Sequence, residues 1–240
     1  LLNERKQIII NNAVTKGLDP NVKMKDSGVD WIGEIPEGWE VRKLKYLGKF
    51  QAGYAFPSND FQEQGIKVVK ISNIQPMNID WKEVSYVDKT KYSNLKEFFI
   101  KKDDLLFALT RPIINGGIKV ALYEEEQQAL LNQRNALFNP NANINKKYLF
   151  YIMQNRSFIQ EFESLIDNTG QQPNISTEDI KNIAISLPSI SEQQLLSDYL
   201  DEQIAKIDTA ITQQQQMIDY LNERKQIIIN DVVTGKVKVS

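Results

Sequence analysis

Apolar residues recur through the last quarter of the chain at Leu200, Ile204, Ile207, Ile211, Ile218, Leu221 and Ile228. With Gln214 and Lys225 inserted, the spacing runs 4-3-4-3 without a break. This is the heptad of a coiled coil, with two polar seam positions of the kind that set register and partner orientation. Ser191 and Gln194 read as an S-x-x-Q capping box, with Ile190 and Leu195 as a hydrophobic staple. Pro188 suits the extended approach to the cap, and Gly235 supplies a stop. A helix over 192–230 spans about 58 Å at roughly 1.5 Å per residue. One small domain cannot bury that length, so the pattern predicts pairing with another long helix.

The middle of the chain mixes two periodicities. Strand-like runs lie at 66–72 (IKVVKIS), 104–109 (DLLFAL), 117–123 (GIKVALY), 129–138 and 183–187. Helical spacing lies at 90–99, at 146–166 and briefly at 177–181; in the second, Tyr148, Ile152, Phe158, Phe162 and Ile166 share a face. Strands and helices do not alternate regularly, which predicts an α+β fold rather than a doubly wound sheet. Residues 16–40 are rich in Gly, Pro and Asp and read as an irregular linker, held to a folded body by Trp31, Ile32 and Trp39.

The decapeptide LNERKQIIIN occurs twice, at Leu2–Asn11 and again at Leu221–Asn230. The separation is far too long for a solenoid repeat. It fits duplicated modules, with residues 1–15 as the tail of an equivalent preceding helix and two similar sites in a two-fold arrangement. The expectation is one unit, cut or naturally half-length, of a two-unit protein. Its segments are 1–15 helix tail, 16–40 linker, 41–188 mixed domain and 189–235 long helix.

Composition narrows the chemistry. The 240 residues contain no Cys and no His. That removes disulfides, thiol chemistry, the usual zinc sites and imidazole as general base; a reducing cytoplasm is compatible. No apolar run is long enough for a membrane span. Net charge is −2, but residues 38–188 hold 19 Lys/Arg against 17 Asp/Glu, while 189–240 hold 5 against 8. Any nucleic-acid contact therefore needs a local patch.

The order of several short motifs resembles a known family. DSGVDWIGEIPEGWEVRKL (26–44), GYAFPSNDF (53–61), VVKISNI (68–74), DDLLFALTR (103–111), GGIKVAL (116–122) and GQQPNIS (170–176) leading into IAISLPSISEQ (183–193) follow one another as in a type I restriction–modification specificity subunit. The resemblance implies a mixed α/β target recognition domain at 41–188, followed by a conserved coiled-coil helix. In that family two recognition domains each read half of a split DNA sequence, and the two long helices pair antiparallel as a spacer. The resemblance further implies a non-catalytic subunit that docks methyltransferase and restriction subunits. Those partners would carry S-adenosylmethionine, ATP and Mg. The departure is that only one recognition domain is present.

The residues themselves offer little catalysis. FNPN (138–141) lacks the second Pro and the aromatic of a methyltransferase tetrapeptide. Asp103 and Asp104 after Lys101 and Lys102 superficially suit a nuclease but read better as a solvated turn. Glu124–Glu126 reads as an acidic hairpin tip, and Tyr54 and Phe56 read as core rather than base-stacking residues. DNA recognition calls for Arg and Lys toward phosphate and guanine, and Asn and Gln toward adenine. The candidates are Lys70, Ser72 and Asn73 at a strand end; Arg111, Asn115 and Lys119 in TRPIINGGIK; Asn132, Gln133 and Arg134 in LLNQRNAL; and Gln171, Gln172 and Asn174 after Gly170. Gly116 and Gly117 would admit a phosphate close to the backbone. Exposed seam residues from Leu200 to Ile228 predict a homodimer through antiparallel helices. The competing expectations are a coiled-coil adaptor and a DNA-binding fragment of a larger fused restriction or methyltransferase enzyme.

Overall fold

The apolar run after Asp104 shows no polar alternation because both of its faces are buried. Leu105 and Phe107 pack against helices, while Leu106 and Ala108 pack against a second sheet. This run is a central strand of the computed structural model, which describes residues 2–236. Residue 1 of the expected helix tail lies outside the described residues.

The chain opens with α1 (Leu2–Lys16), β1 (Met24–Asp26), β2 (Glu34–Pro36), β3 (Glu40–Lys43), β4 (Gly48–Ala52), β5 (Phe61–Gln62), β6 (Ile66–Val69) and β7 (Ser85–Val87). Then come α2 (Lys89–Tyr92), β8 (Phe99–Ile100), β9 (Leu105–Ala108), β10 (Ile113–Ile114), β11 (Gly117–Ile118), β12 (Val120–Leu122), β13 (Ala129–Leu131) and β14 (Asn135–Pro140). It closes with α3 (Lys146–Ile152), α4 (Arg156–Ser164), α5 (Thr177–Asn182), β15 (Ala184–Leu187) and α6 (Ile190–Val233).

Two sheets form the body. The first is antiparallel, in the order β12-β9-β14-β4. The second runs β5-β7-β6-β13-β8, with β6 and β13 parallel. The first sheet presents Phe107, Val120, Ala136 and Phe138 to Tyr148, Leu149, Leu196 and Leu200 of the helices. The second covers its outer face with Phe56, Val68, Val87, Tyr92 and Leu130. A separate pair, β3 with β15, joins the entry of the body to its exit, Glu40 opposite Leu187. The start of α6 is therefore anchored where the chain enters the body.

The 44-residue α6 is bound to the body only along its first half. There Leu196, Leu200, Ile204 and Ile207 are buried. α1 lies antiparallel on this stretch, since Lys6 pairs with Asp208 at 2.9 Å while Gly17 lies beside Glu192. Ile10, Ala13 and Val14 of α1 are buried in the same cluster.

Several expectations need correction. The cap of α6 is Ser189, two residues before Ser191; its hydroxyl accepts from the Glu192 amide at 3.3 Å, and the Glu192 carboxylate takes the Trp39 indole rather than closing a box. Ile190 and Leu195 are exposed and form no staple. The helical stretch 146–166 is two helices, because Asn155 turns the chain and caps α4 through the amides of Ser157 and Phe158. The stretch 90–99 holds only α2 and a 3-10 turn at Lys96–Phe98. The linker contains a small antiparallel pair, β1 with β2. Glu124–Glu126 is a crossover between the two sheets rather than a hairpin tip. Asp104 is no solvated turn residue: it is 3 % exposed, accepts from the Lys101 amide and pairs with Lys146 at 2.8 Å. Leu200, Ile204 and Ile207 are not open to a partner, because α1 and the body already cover them. Ile218, Leu221 and Ile228 remain about half exposed.

Candidate nucleic-acid interface

The run 129–138 reads as one strand in the sequence, yet it splits between the two sheets at its polar stretch, residues 132–135. β13 belongs to the five-stranded sheet and β14 to the four-stranded one. A strand that changes sheet must kink, and the kink falls on Arg134, whose φ is 63°. A side chain in that left-handed region is uncommon and marks strained, functional loops. The kink is held from both sides. Asn132 N donates to Val69 O at 3.0 Å, and Gln133 N donates to Tyr54 O at 2.8 Å. Gly53 N donates to Asn135 O, and a Cβ on Gly53 would lie 2.1 Å from Asn132 O, so only Gly permits this approach. The glycine of the GYAFP motif thereby shapes the Arg134 turn.

A second loop leaves the end of β9. Arg111 has φ 46°, and the β10–β11 hairpin turns at Asn115 and Gly116 with φ 51° and 76°. Left-handed backbone at both positions is what a two-residue type I′ turn requires. Gly116 faces open space, whereas a Cβ on Gly117 would meet Pro76 at 2.8 Å. Gly117 therefore accommodates the chain itself rather than an approaching phosphate.

The third loop, 170–174, docks on the second. Arg111 N donates to Pro173 O at 2.8 Å and Ile175 N to Leu109 O at 2.9 Å. Leu109 N donates to Arg134 O at 2.8 Å, which ties the Arg134 turn to the same point. Between the loops lies an open cleft of about 460 Å³ lined by Leu109, Thr110, Arg134, Gln171, Gln172, Asn174 and Ile175. Three of the four candidate clusters are thus brought to one end of the body. The fourth is joined to them by Lys119, whose ammonium donates to Ile71 O.

Their roles divide by where their polar atoms are spent. Asn73 is 1 % exposed; its Oδ1 accepts from Lys70 N and its Nδ2 donates to Asp80 O and Glu83 O. Lys119 is also buried, and burial followed by the nearby Arg111 charge pushes its ammonium below the ordinary lysine range. Both brace the loops: Asn73 has no polar valence left for a base edge, and Lys119 is buried with its ammonium on the Ile71 carbonyl. Asn132 turns its Oδ1 onto the Gln133 amide, and Asn174 is engaged with Thr110 and Gln172 O. Ser72, Arg111, Asn115, Gln133, Arg134 and Gln171 are exposed, while Lys70 and Gln172 are half-buried. Lys70 lies over the Phe61 ring at 5.8 Å. Thr110 did not stand out in the sequence; its only signal is a hydroxyl directly following an apolar run.

Charge separates this end from the other. Segments 109–116, 132–135 and 170–175 contain no Asp or Glu. Neither Arg111 nor Arg134 forms a salt bridge among the described residues, whereas Lys67, Lys91, Lys102, Lys146 and Lys147 are each paired. The larger cleft, about 680 Å³, lies at the opposite end of β9 against α3 and α6. Asp103, Glu124, Asp201 and Asp208 line it beside Lys6, Lys102 and Lys147, a mixed surface that does not favour phosphate. Among the described residues, no group of three or more His, Cys, Asp or Glu side chains is placed to hold a metal ion. No helix among them is long and apolar enough to cross a membrane.

The family described as type I restriction modification DNA specificity domain matches residues 36–219. The type I restriction enzyme MjaVIII specificity subunit of Methanocaldococcus jannaschii is 34% identical over 241 residues, covering 100% of this chain and 55% of that one. The EcoAI specificity subunit of Escherichia coli is 31% identical over 173 residues, covering 71% of this chain and 29% of that one. Among solved structures, the HsdS subunit from Thermoanaerobacter tengcongensis superposes with a TM-score of 0.59 at 16% identity, over 98% of this chain and 51% of that one. A chain from a study of assembly and conformational transition in the type I R-M system gives 0.68 at 15% identity, over 96% and 51%. The fold is therefore shared at low identity. This chain spans about half the length of the first curated relative and of both solved chains.

Proposed function

The chain belongs to the type I restriction–modification DNA specificity family, and from that premise we propose that residues 41–188 read one half of a two-part DNA site. The observation that carries this reading is the convergence of three carboxylate-free segments, 109–116, 132–135 and 170–175, that display Arg111 and Arg134, neither in a salt bridge among the described residues, beside Gln133, Gln171 and Gln172. Guanidinium groups and side-chain amides on a rigid loop cluster suit base edges and phosphates together. The two left-handed arginines are held by backbone bonds, so the loops are set before DNA arrives. In this reading the chain is non-catalytic and binds no cofactor of its own. Methyltransferase and restriction subunits dock beside it and carry S-adenosylmethionine, ATP and Mg.

The distal half of α6 supports a second element of the proposal, a homodimer. Ile218, Leu221, Ile228 and Ile229 leave an apolar face about half exposed. Such a face is costly in water and marks an association surface. Because α1 occupies the first half of the seam, antiparallel pairing with a second copy runs through Ile211–Ile228. Two recognition domains would then stand at opposite ends of the paired helices and face inverted half-sites.

The test is selection of bound duplexes from a randomised DNA library at low salt, with the bound fraction sequenced. A DNA reader enriches a short motif of a few base pairs. An adaptor enriches none, and that result overturns the proposal. Methyl transfer or cleavage by the purified chain alone, supplied with S-adenosylmethionine, ATP and Mg, would overturn the non-catalytic assignment.

A further inference from the structure

Thr110 is 4 % exposed, a polar residue sealed between the three loops. Its Oγ1 donates to Asn174 Oδ1 at 2.5 Å, and Asn174 Nδ2 in turn donates to Gln172 O at 2.6 Å. The Asn174 backbone is bridged twice to Asp167, with N···O distances of 2.8 and 3.0 Å, and these bonds close the 167–174 loop at its base. On either side of Thr110, Arg111 N holds Pro173 O and Leu109 O receives Ile175 N. Leu109 N also takes the Arg134 carbonyl. One residue thus sits at the node where the Arg111 loop, the Arg134 turn and the Gln171–Gln172 loop meet.

We infer that Thr110 is a positioning residue for DNA discrimination: its hydroxyl holds Asn174, and through it the Gln171–Gln172 loop, at a fixed distance from Arg111 and Arg134. This rests on the DNA-reading proposal and adds to it a residue that touches no DNA. Residues 167–172 have few other ties: Asp167 Oδ1 accepts from the amide and hydroxyl of Thr169, a bond internal to the loop. Gly170 has nothing near its Cβ position except Gln172 O at 3.8 Å. The loop is therefore fixed from its two stems rather than by packing along its length. On the Asn174 stem, Thr110 is the one side chain among the described residues that bonds it. The Thr110 hydroxyl is what links Asn174 Oδ1 to the body, while Nδ2 is committed to Gln172 O. A methyl group of equal size fills the same space but makes no such link, and Oδ1 of the exposed Asn174 turns to water instead. Small displacements of groups that read base edges cost discrimination before they cost general affinity, since phosphate attraction is long-ranged and tolerant of position.

The experiment uses the full chain and the motif enriched from the library. Competition binding compares the preferred duplex with single-mismatch duplexes and with unrelated DNA, for wild type, Thr110→Val and Thr110→Ser. Thr110→Val is expected to lose roughly tenfold in discrimination against mismatches, within the range that one base contact supplies, while its affinity for unrelated DNA stays within about twofold of wild type. Thr110→Ser keeps the hydroxyl and is expected to discriminate like wild type. Wild-type discrimination in Thr110→Val overturns the inference. So does loss of discrimination in Thr110→Ser, because it assigns the effect to the lost methyl. If Thr110→Val does not fold, Thr110→Ala, which also lacks the hydroxyl, takes its place in the same comparison with the same two outcomes. A wild-type chain that enriches no motif overturns the DNA-reading proposal and this inference together, a result distinct from either of the others.

Discussion

Trp39 and Glu192 meet across 153 positions of sequence, the indole Nε1 donating to Oε1 at 3.0 Å. Trp39 is 1 % exposed, and Gly17 lies against both partners, 3.5 Å from Trp39 and 3.4 Å from Glu192 at its Cβ position. This bond fastens the first turn of α6 to the entry of the body. Trp39→Phe removes the donor, leaves the carboxylate short of a partner and opens space in the core. The cost is about 2 kcal/mol. A loss of that size lowers the melting temperature of a chain this long by roughly 4–8 °C. Differential scanning calorimetry of the variant checks it; an unchanged transition would mean that the β3–β15 pair anchors the helix alone.

Arg111→Ala and Arg134→Ala are expected to weaken recognition of the selected motif in different ways. Loss of a base contact costs about 1–3 kcal/mol at one base pair. Loss of a phosphate contact weakens all sequences alike and lowers the salt slope by about 1. Binding titrations over a range of salt, with matched and mismatched duplexes, sort each arginine into one class. Neither effect in either variant removes these residues from the interface.

Pairing through the distal half of α6 predicts that Ile218→Asp with Leu221→Asp keeps the fold and abolishes self-association. Ile207→Asp is the wrong probe, because Ile207 is 7 % exposed within the chain and its loss damages the body itself. Sedimentation equilibrium at around 100 μM distinguishes the outcomes, since an exposed apolar seam favours association. A wild-type monomer under those conditions excludes the dimer.

Stability should fall above about pH 10 in a predictable window. Burial pushes the Tyr123 hydroxyl up to about 12, and burial also raises Tyr148 and Tyr151. A tyrosine ionises near 10 in an unfolded chain. The folded protein therefore retains protons that the unfolded chain releases. The contribution is complete below about pH 10 and is lost as pH rises through the folded values. Tyr123→Phe keeps the ring and removes one titration, so the decline in urea midpoint between about pH 10 and 11.5 becomes shallower. The same slope in wild type and variant would show that Tyr123 is open to solvent in the folded state.

Most elements were legible along the chain where burial is one-sided or where an apolar run is unbroken. β6, β15 and the heptads of α6 follow from composition and side-chain period, and β9 from its unbroken apolar run, because local geometry fixes which faces a segment presents. The motif order, together with the duplicated decapeptide, carried the family resemblance. Sequence also singled out Arg111, Arg134 and the 171–174 amides, since Gly, Pro and Asn mark turns by their own backbone preferences.

Tertiary structure alone decided what those segments meet. The sheet change at Arg134 shows in the sequence only as four polar residues, 132–135, inside an apolar run, a break that a turn within one sheet would leave as well. Asn73 and Lys119 look like ligand groups until their partners, Asp80, Glu83 and Ile71, come near in space. LNERKQIIIN is one sequence in two environments: Ile10 is buried at 0 %, while its counterpart Ile229 is 43 % exposed. Identical residues carry identical propensities, so the difference lies in what packs against them. Periodicity states which face of a helix seeks cover; only the folded chain shows which faces have found it.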